Sequence, residues 1–102
     1  MATTKHPATL NEALRETAHL MADKEQRLGR SCTSASGIRR LAWRAVYGDL
    51  WTPDRVGEVP PEQRPALRAL VKQVINRVCP GGAYARGCSA ADVLAMAEDD
   101  DS

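Results

Sequence analysis

The apolar residues in the first third of the chain recur at helical spacing. Four of them share one narrow stripe: Leu10, Leu14, Met21 and Leu28. Because the last three are seven residues apart, the stripe is typical of a contact line between two helices. Thr9 and Glu12 fit a capping box, and Gly29 is a stop signal. The pattern therefore predicts a helix from about residue 10 to 29, after a loose start over residues 1–8.

A second helix is predicted to begin after Ser34 or Ser36 and to run to about Trp51, before the break at residues 52–54. It is apolar on two sides. One side is aliphatic: Ile38, Leu41, Ala42, Ala45 and Val46. The opposite side interleaves aromatic, aliphatic and basic residues: Arg40, Trp43, Arg44, Tyr47, Leu50 and Trp51.

The second half of the chain predicts two further helices. Pro65 suits the first turn of a third helix that continues to about Val78, where a Cys-Pro-Gly-Gly sequence ends it. Ser89 is the expected cap of a short fourth helix. An acidic tail over residues 98–102 follows it, and the charge of its four acidic residues at a helix C-terminus predicts that the tail frays. The fold class is predicted to be all-α, a small four-helix bundle-like domain over residues 1–102.

Composition favours a compact helical domain of modest stability. The 102 residues contain no Phe, and Leu, Ile and Val together number 18. The net charge is +1, so the combination of low hydrophobicity and high charge that typifies disorder is only half met. Alanine is abundant, and it favours helices that approach one another closely.

Two surfaces are candidates for function. The first is the aromatic and basic side of the second helix, with Arg40, Trp43, Arg44, Tyr47 and Trp51. Trp, Tyr and Arg are enriched at binding hot spots, and Arg beside aromatic rings also suits single-stranded nucleic acid. The alternative is that this side is simply packed by neighbouring helices. The second candidate is a row of cations spaced by four on the third helix: Arg64, Arg68 and Lys72. An anionic partner or a solvated helix face would each explain the row.

Several classes of chemistry find no support in the sequence. Cys32, Cys79 and Cys88 are irregularly spaced, and with only two histidines they do not form a zinc motif. The sequence contains no phosphate loop, nucleophile elbow or metalloprotease pair, so no catalytic residue, metal or cofactor is predicted. No apolar run is long enough to cross a membrane. The odd number of cysteines and the missing signal sequence favour the cytoplasm.

The leading hypothesis is a non-enzymatic regulator or inhibitor that binds a larger protein or complex. Its Arg-rich, motif-free character suggests an accessory protein of a phage or mobile element that acts against a host system. The alternative is a nucleic-acid-binding regulator that uses the same cations. A third hypothesis, compatible with either, is a homodimer formed through the stripe of Leu14, Met21 and Leu28.

Overall fold

The computed structural model of the protein describes residues 9–48, 61–80 and 87–100, with side chains up to residue 98. Four helices occupy most of these ranges: α1 (Leu10–Leu28), α2 (Ala35–Tyr47), α3 (Arg64–Val78) and α4 (Ala90–Asp100). Within the described ranges, the β pairing consists of one isolated antiparallel bridge, between Thr33 and Cys88. The all-α prediction is confirmed. The loose start predicted for residues 1–8 lies outside the described residues.

Both ends of α1 follow the local signals in the sequence. The Thr9 hydroxyl accepts a hydrogen bond from the Glu12 amide at 3.1 Å. At the other end, Gly29 adopts the left-handed conformation with φ 65°. Its amide donates to the Gln26 carbonyl, and the next amide reaches the Glu25 carbonyl at 2.9 Å. This arrangement satisfies carbonyls that would otherwise lack partners at a helix C-terminus.

The α2 helix begins where the sequence predicts and ends earlier. Ser34 is its cap, and the Ser34 hydroxyl accepts a hydrogen bond from the Gly37 amide at 3.3 Å. The helix stops at Tyr47 because Gly48 turns to φ 65° and ψ −143°, outside helical space. The prediction that α2 extends to about Trp51 is therefore wrong. Trp51 itself lies outside the described residues.

The last two helices begin as predicted. Pro65 occupies the first turn of α3, where its missing N–H costs no hydrogen bond. Ser89 and Asp92 cap α4 reciprocally through their side chains and amides. The α4 helix continues to Asp100, within the acidic segment, and the fraying of the tail stays a prediction. Each unfavourable charge there costs about 0.3–1 kcal/mol at most, and no Gly or Pro interrupts the segment.

The core is a single cluster to which all four helices contribute. The α1 helix packs against the other three, most extensively against α4, and α2 packs against α3. The largest fully buried side chains are Leu14, Met21, Ile38, Val46, Val71, Val74 and Val93. Alanines fill the narrow spaces between the helices, among them Ala13, Ala42 and Ala97. None of the helices in the described ranges has the length and hydrophobicity needed to cross a bilayer.

The stripe proposed as a homodimer contact belongs to this core. Leu14 and Met21 are both 0% exposed, whereas Leu28 at the end of α1 is 50% exposed. The seven-residue spacing does reflect a contact between helices, but the contact is made inside one chain. The stripe therefore does not offer these two side chains to a second copy without unpacking the core.

The Thr33–Cys88 bridge ties the α1–α2 connection to the start of α4. Each backbone amide of the pair donates to the other residue's carbonyl, at 2.9 and 3.1 Å. Glu25 completes the junction. One oxygen of its carboxylate, Oε2, accepts hydrogen bonds from the Thr33 hydroxyl at 3.1 Å and from the Ala90 amide at 2.9 Å.

Candidate functional site: a groove between α2 and α3

A concave groove of about 700 Å³ runs between the C-terminal half of α2 and the N-terminal half of α3. Its volume falls in the range of ligand and peptide sites on proteins. Among the described residues, its lining consists of two aromatic rings, three cations and two small residues: Trp43, Tyr47, Arg64, Pro65, Arg68, Ala69 and Lys72.

One wall of the groove is the aromatic pair of α2. Trp43 and Tyr47 are one helical turn apart, and their ring centroids lie 5.5 Å apart at an interplanar angle of 31°. Tyr47 is only 4% exposed and belongs to the core cluster, whereas Trp43 is half-buried and packs against the edge of that cluster. Tyr47 therefore supports the indole from behind, and Trp43 supplies the aromatic surface that a partner could contact.

The other wall is the basic row of α3. Arg64, Arg68 and Lys72 follow one another every fourth residue, so they lie on one face of the helix, and all three are exposed. The adjoining face of α3 supplies Val71 and Val74 to the core. The cations line the groove beside that buried face. Pro65 and Ala69 lie between the basic side chains, and their small size leaves the concavity open.

The structure unites two surfaces that the sequence presented separately. Trp43 and Tyr47 of the first candidate and all three cations of the second line the same groove. Arg40 and Arg44 are exposed on α2 but are not among the described residues of the lining. Trp51 lies outside the described residues. Sequence periodicity places residues on one face of one helix, but it does not indicate which faces of two helices meet.

Charge is segregated by helix. The α2 and α3 helices carry seven Lys or Arg residues and no Asp or Glu. The α1 helix is nearly balanced, and α4 has four acidic residues and no Lys or Arg. Because α2 packs on α3 and α4 packs on α1, the described helices form one basic pair and one net acidic pair. A charge count per helix would have revealed this from the sequence, whereas the net charge of +1 conceals it.

The cysteines do not form a reactive centre in the described part of the protein. Burial raises the pKa of the Cys79 thiol, and burial together with the neighbouring Cys79 and Asp92 raises the pKa of Cys88 to about 11. Thiols with raised pKa values are poor nucleophiles at neutral pH. Cys32 is exposed. Within the described residues, no group of three His, Cys, Asp or Glu side chains is placed to hold a metal ion.

No protein-family model, curated protein or solved structure matches this chain.

Proposed function

We propose that this protein is a non-enzymatic interaction protein, a regulator or inhibitor that docks onto a larger protein through the α2–α3 groove and acts in the cytoplasm. One observation carries the proposal: Trp43 and the row of Arg64, Arg68 and Lys72 line the same concave surface. Trp and Arg are the residues most enriched at binding hot spots. Such residues are most effective in pockets from which a partner excludes water.

The chemistry of the groove supports binding rather than catalysis. Its described lining offers guanidinium and ammonium groups, an indole, a phenol and aliphatic surface. General acid–base or nucleophilic catalysis at neutral pH usually relies on His, Cys, Ser or a carboxylate in the site. None of these is among the described lining residues. An origin in a phage or mobile element, with a host system as the target, is a hypothesis from the Arg-rich composition.

Photo-crosslinking from inside the groove tests the proposal. Ala69 lines the groove and is exposed, so a photoreactive amino acid can replace it there. Ala95 is an equally exposed alanine on α4 and serves as the matched control. In lysate treated with nuclease, we expect the Ala69 variant to form a discrete covalent adduct with one protein. The Ala95 variant should not form it.

The same experiment separates the second candidate function, nucleic-acid binding. The observation that favours it is the absence of acidic residues from both α2 and α3. Adducts that contain nucleic acid and vanish with nuclease would support this candidate, especially if capture weakens steeply with salt. Adducts of equal yield from Ala69 and Ala95 would contradict both candidates, because neither would then depend on the groove.

A further inference from the structure

We infer that the occupant of the α2–α3 groove is a short acidic segment of a partner protein, in which Asp or Glu residues flank an apolar side chain that packs on Trp43. The inference rests on the proposed function and specifies the chemistry of the partner. It combines three properties of the groove: its charge, its apolar lining and its limited aromatic surface.

The charge of the groove selects an anionic occupant. Arg64, Arg68 and Lys72 lie along one wall, over two helical turns. Like charges spaced by four residues repel one another slightly, so the row does not stabilise α3 by itself. Neither α2 nor α3 contains an Asp or Glu residue. Carboxylates of an incoming segment would complement the row, and Arg68 can hold one in a bidentate pair.

The apolar lining of the groove selects an apolar side chain of the partner as the anchor. Trp43 is half-buried, with one side of its indole beside Tyr47. Pro65 and Ala69 add aliphatic surface without filling the space in front of the ring. An aliphatic or aromatic side chain that enters here would remove the remaining indole surface from water. Removing apolar surface from water in this way favours binding.

A protein segment fits this surface better than single-stranded nucleic acid. Sequence-independent binding of single strands relies on several aromatic rings that stack successive bases. Tyr47 is 4% exposed, so Trp43 is the one ring of the described lining with accessible surface. The net charge of +1 and the acidic α4 also disfavour a long polyanion wrapped around the molecule.

The chain's own acidic helix is not the occupant. The α4 helix packs against α1, and it buries Val93 and Ala97 there. It makes no extensive contact with α2 or α3. Among the described helices, α4 is therefore excluded as the source of the acidic segment, and we place that segment on another molecule.

Selection from a random dodecapeptide library, displayed against the full chain, tests the inference. We expect the enriched peptides to carry several Asp or Glu residues around one apolar position. Binding of the best peptide is then measured by fluorescence anisotropy against two double variants. Arg68→Ala with Lys72→Ala removes two cations of the groove. Arg40→Ala with Arg44→Ala removes two exposed cations outside its described lining. Circular dichroism verifies that both variants fold.

We expect the groove variant to weaken peptide binding by about tenfold or more and the control variant by less than about threefold. Trp43→Ala should also weaken binding, whereas a deoxythymidine dodecamer should bind more weakly than the peptide. Enriched peptides without acidic residues would overturn the inferred chemistry but leave the groove as the docking site. Failure to enrich any peptide would also overturn the inferred chemistry. The crosslinking experiment would still test the proposed function independently. Equal losses of peptide binding in the two double variants would refute both the inferred chemistry and the groove as the docking site.

Discussion

Glu25 joins parts of the chain that are far apart in sequence. It lies near the end of α1, and its Oε2 atom accepts hydrogen bonds from Thr33 and from Ala90, which is 65 residues away. The negative charge also lies at the N-terminus of α4, where the helix dipole favours it. One carboxylate thus holds α1, the α1–α2 connection and α4 together.

Glu25→Ala is expected to destabilise the fold by about 2–3 kcal/mol, because it leaves two partly buried donors without their acceptor. Urea denaturation followed by circular dichroism measures the change. Glu16→Ala is the matched control, since Glu16 is exposed on the same helix, and it should change stability by less than about 0.5 kcal/mol. Similar losses in the two variants would mean that the junction contributes little.

Gly87 is required by the close approach of two chain segments at the bridge. A Cβ atom at this position would overlap the carbonyl oxygen of Thr33 and crowd the Cα atom of Ser34. The obstacle is backbone rather than a flexible side chain. Even an alanine therefore forces the two segments of the Thr33–Cys88 bridge apart.

We expect Gly87→Ala to cost about 1–3 kcal/mol, which lowers Tm by roughly 4–8 °C for each kcal/mol in a domain of this size. Thermal unfolding monitored by circular dichroism gives the shift. Gly29→Asn is the comparison, because Gly29 has open space around it and Asn tolerates its φ of 65°. A larger loss in the Gly29 variant would contradict the steric explanation.

At the scale of single helices, the same seven-residue periodicity in α1 places residues in two different environments. Met21 and Leu28 are seven residues apart on one stripe, yet Met21 is enclosed by the core and Leu28 is half-exposed. Spacing alone does not distinguish them. What differs is whether another helix covers that turn of α1.

Met21→Glu is expected to unfold the protein or to destabilise it by more than about 3 kcal/mol, because it places a carboxylate in an apolar core. Leu28→Glu should change stability by less than about 1 kcal/mol. Circular dichroism measures stability, and light scattering of both variants and the wild type measures mass. A folded Met21→Glu monomer derived from a wild-type dimer would show instead that the stripe is a contact between copies.

The two aromatic residues of α2 also differ in their exposure to solvent. Tyr47 is part of the core, whereas Trp43 is partly exposed at the groove. Large-to-small changes in a core remove several kcal/mol. Tyr47 is therefore a support for the groove, and loss of binding in a Tyr47 variant would not by itself identify a partner contact.

At the scale of the whole molecule, one contiguous core makes the four helices interdependent. Val93 of α4 and Val46 of α2 belong to the same buried cluster, although their helices make no extensive direct contact. The α1 helix lies between them and transmits the dependence. A domain of this size has a total stability of only about 5–15 kcal/mol, so damage at one helix affects all the others.

Val93→Asp is expected to lower the unfolding midpoint strongly while the transition stays single. Helical circular dichroism and the fluorescence of the two tryptophans, of which Trp43 lies in α2, should shift together. Ala95→Asp, at an exposed position on the same helix, should leave both nearly unchanged. Loss of helicity without any change in fluorescence would reveal that α4 unfolds separately.

The sequence alone was sufficient for the local architecture. Capping residues such as Thr9 and Ser34, stop signals such as Gly29, and the spacing of apolar residues act within a few positions of the chain. They determined the helix starts, the fold class and most buried faces. The end of α2 was missed because Gly48 was not recognised as a terminator among apolar and aromatic neighbours.

Only the tertiary structure decided which faces meet. The groove exists because α2 and α3 pack with Trp43 opposite the Arg68 row, and the bridge exists because Thr33 reaches Cys88. Contacts between segments far apart in sequence depend on the packing of the entire core, and no local pattern encodes them. For the same reason, the sequence predicted that the α1 stripe contacts another helix. It did not predict that Leu14 and Met21 make this contact within one chain.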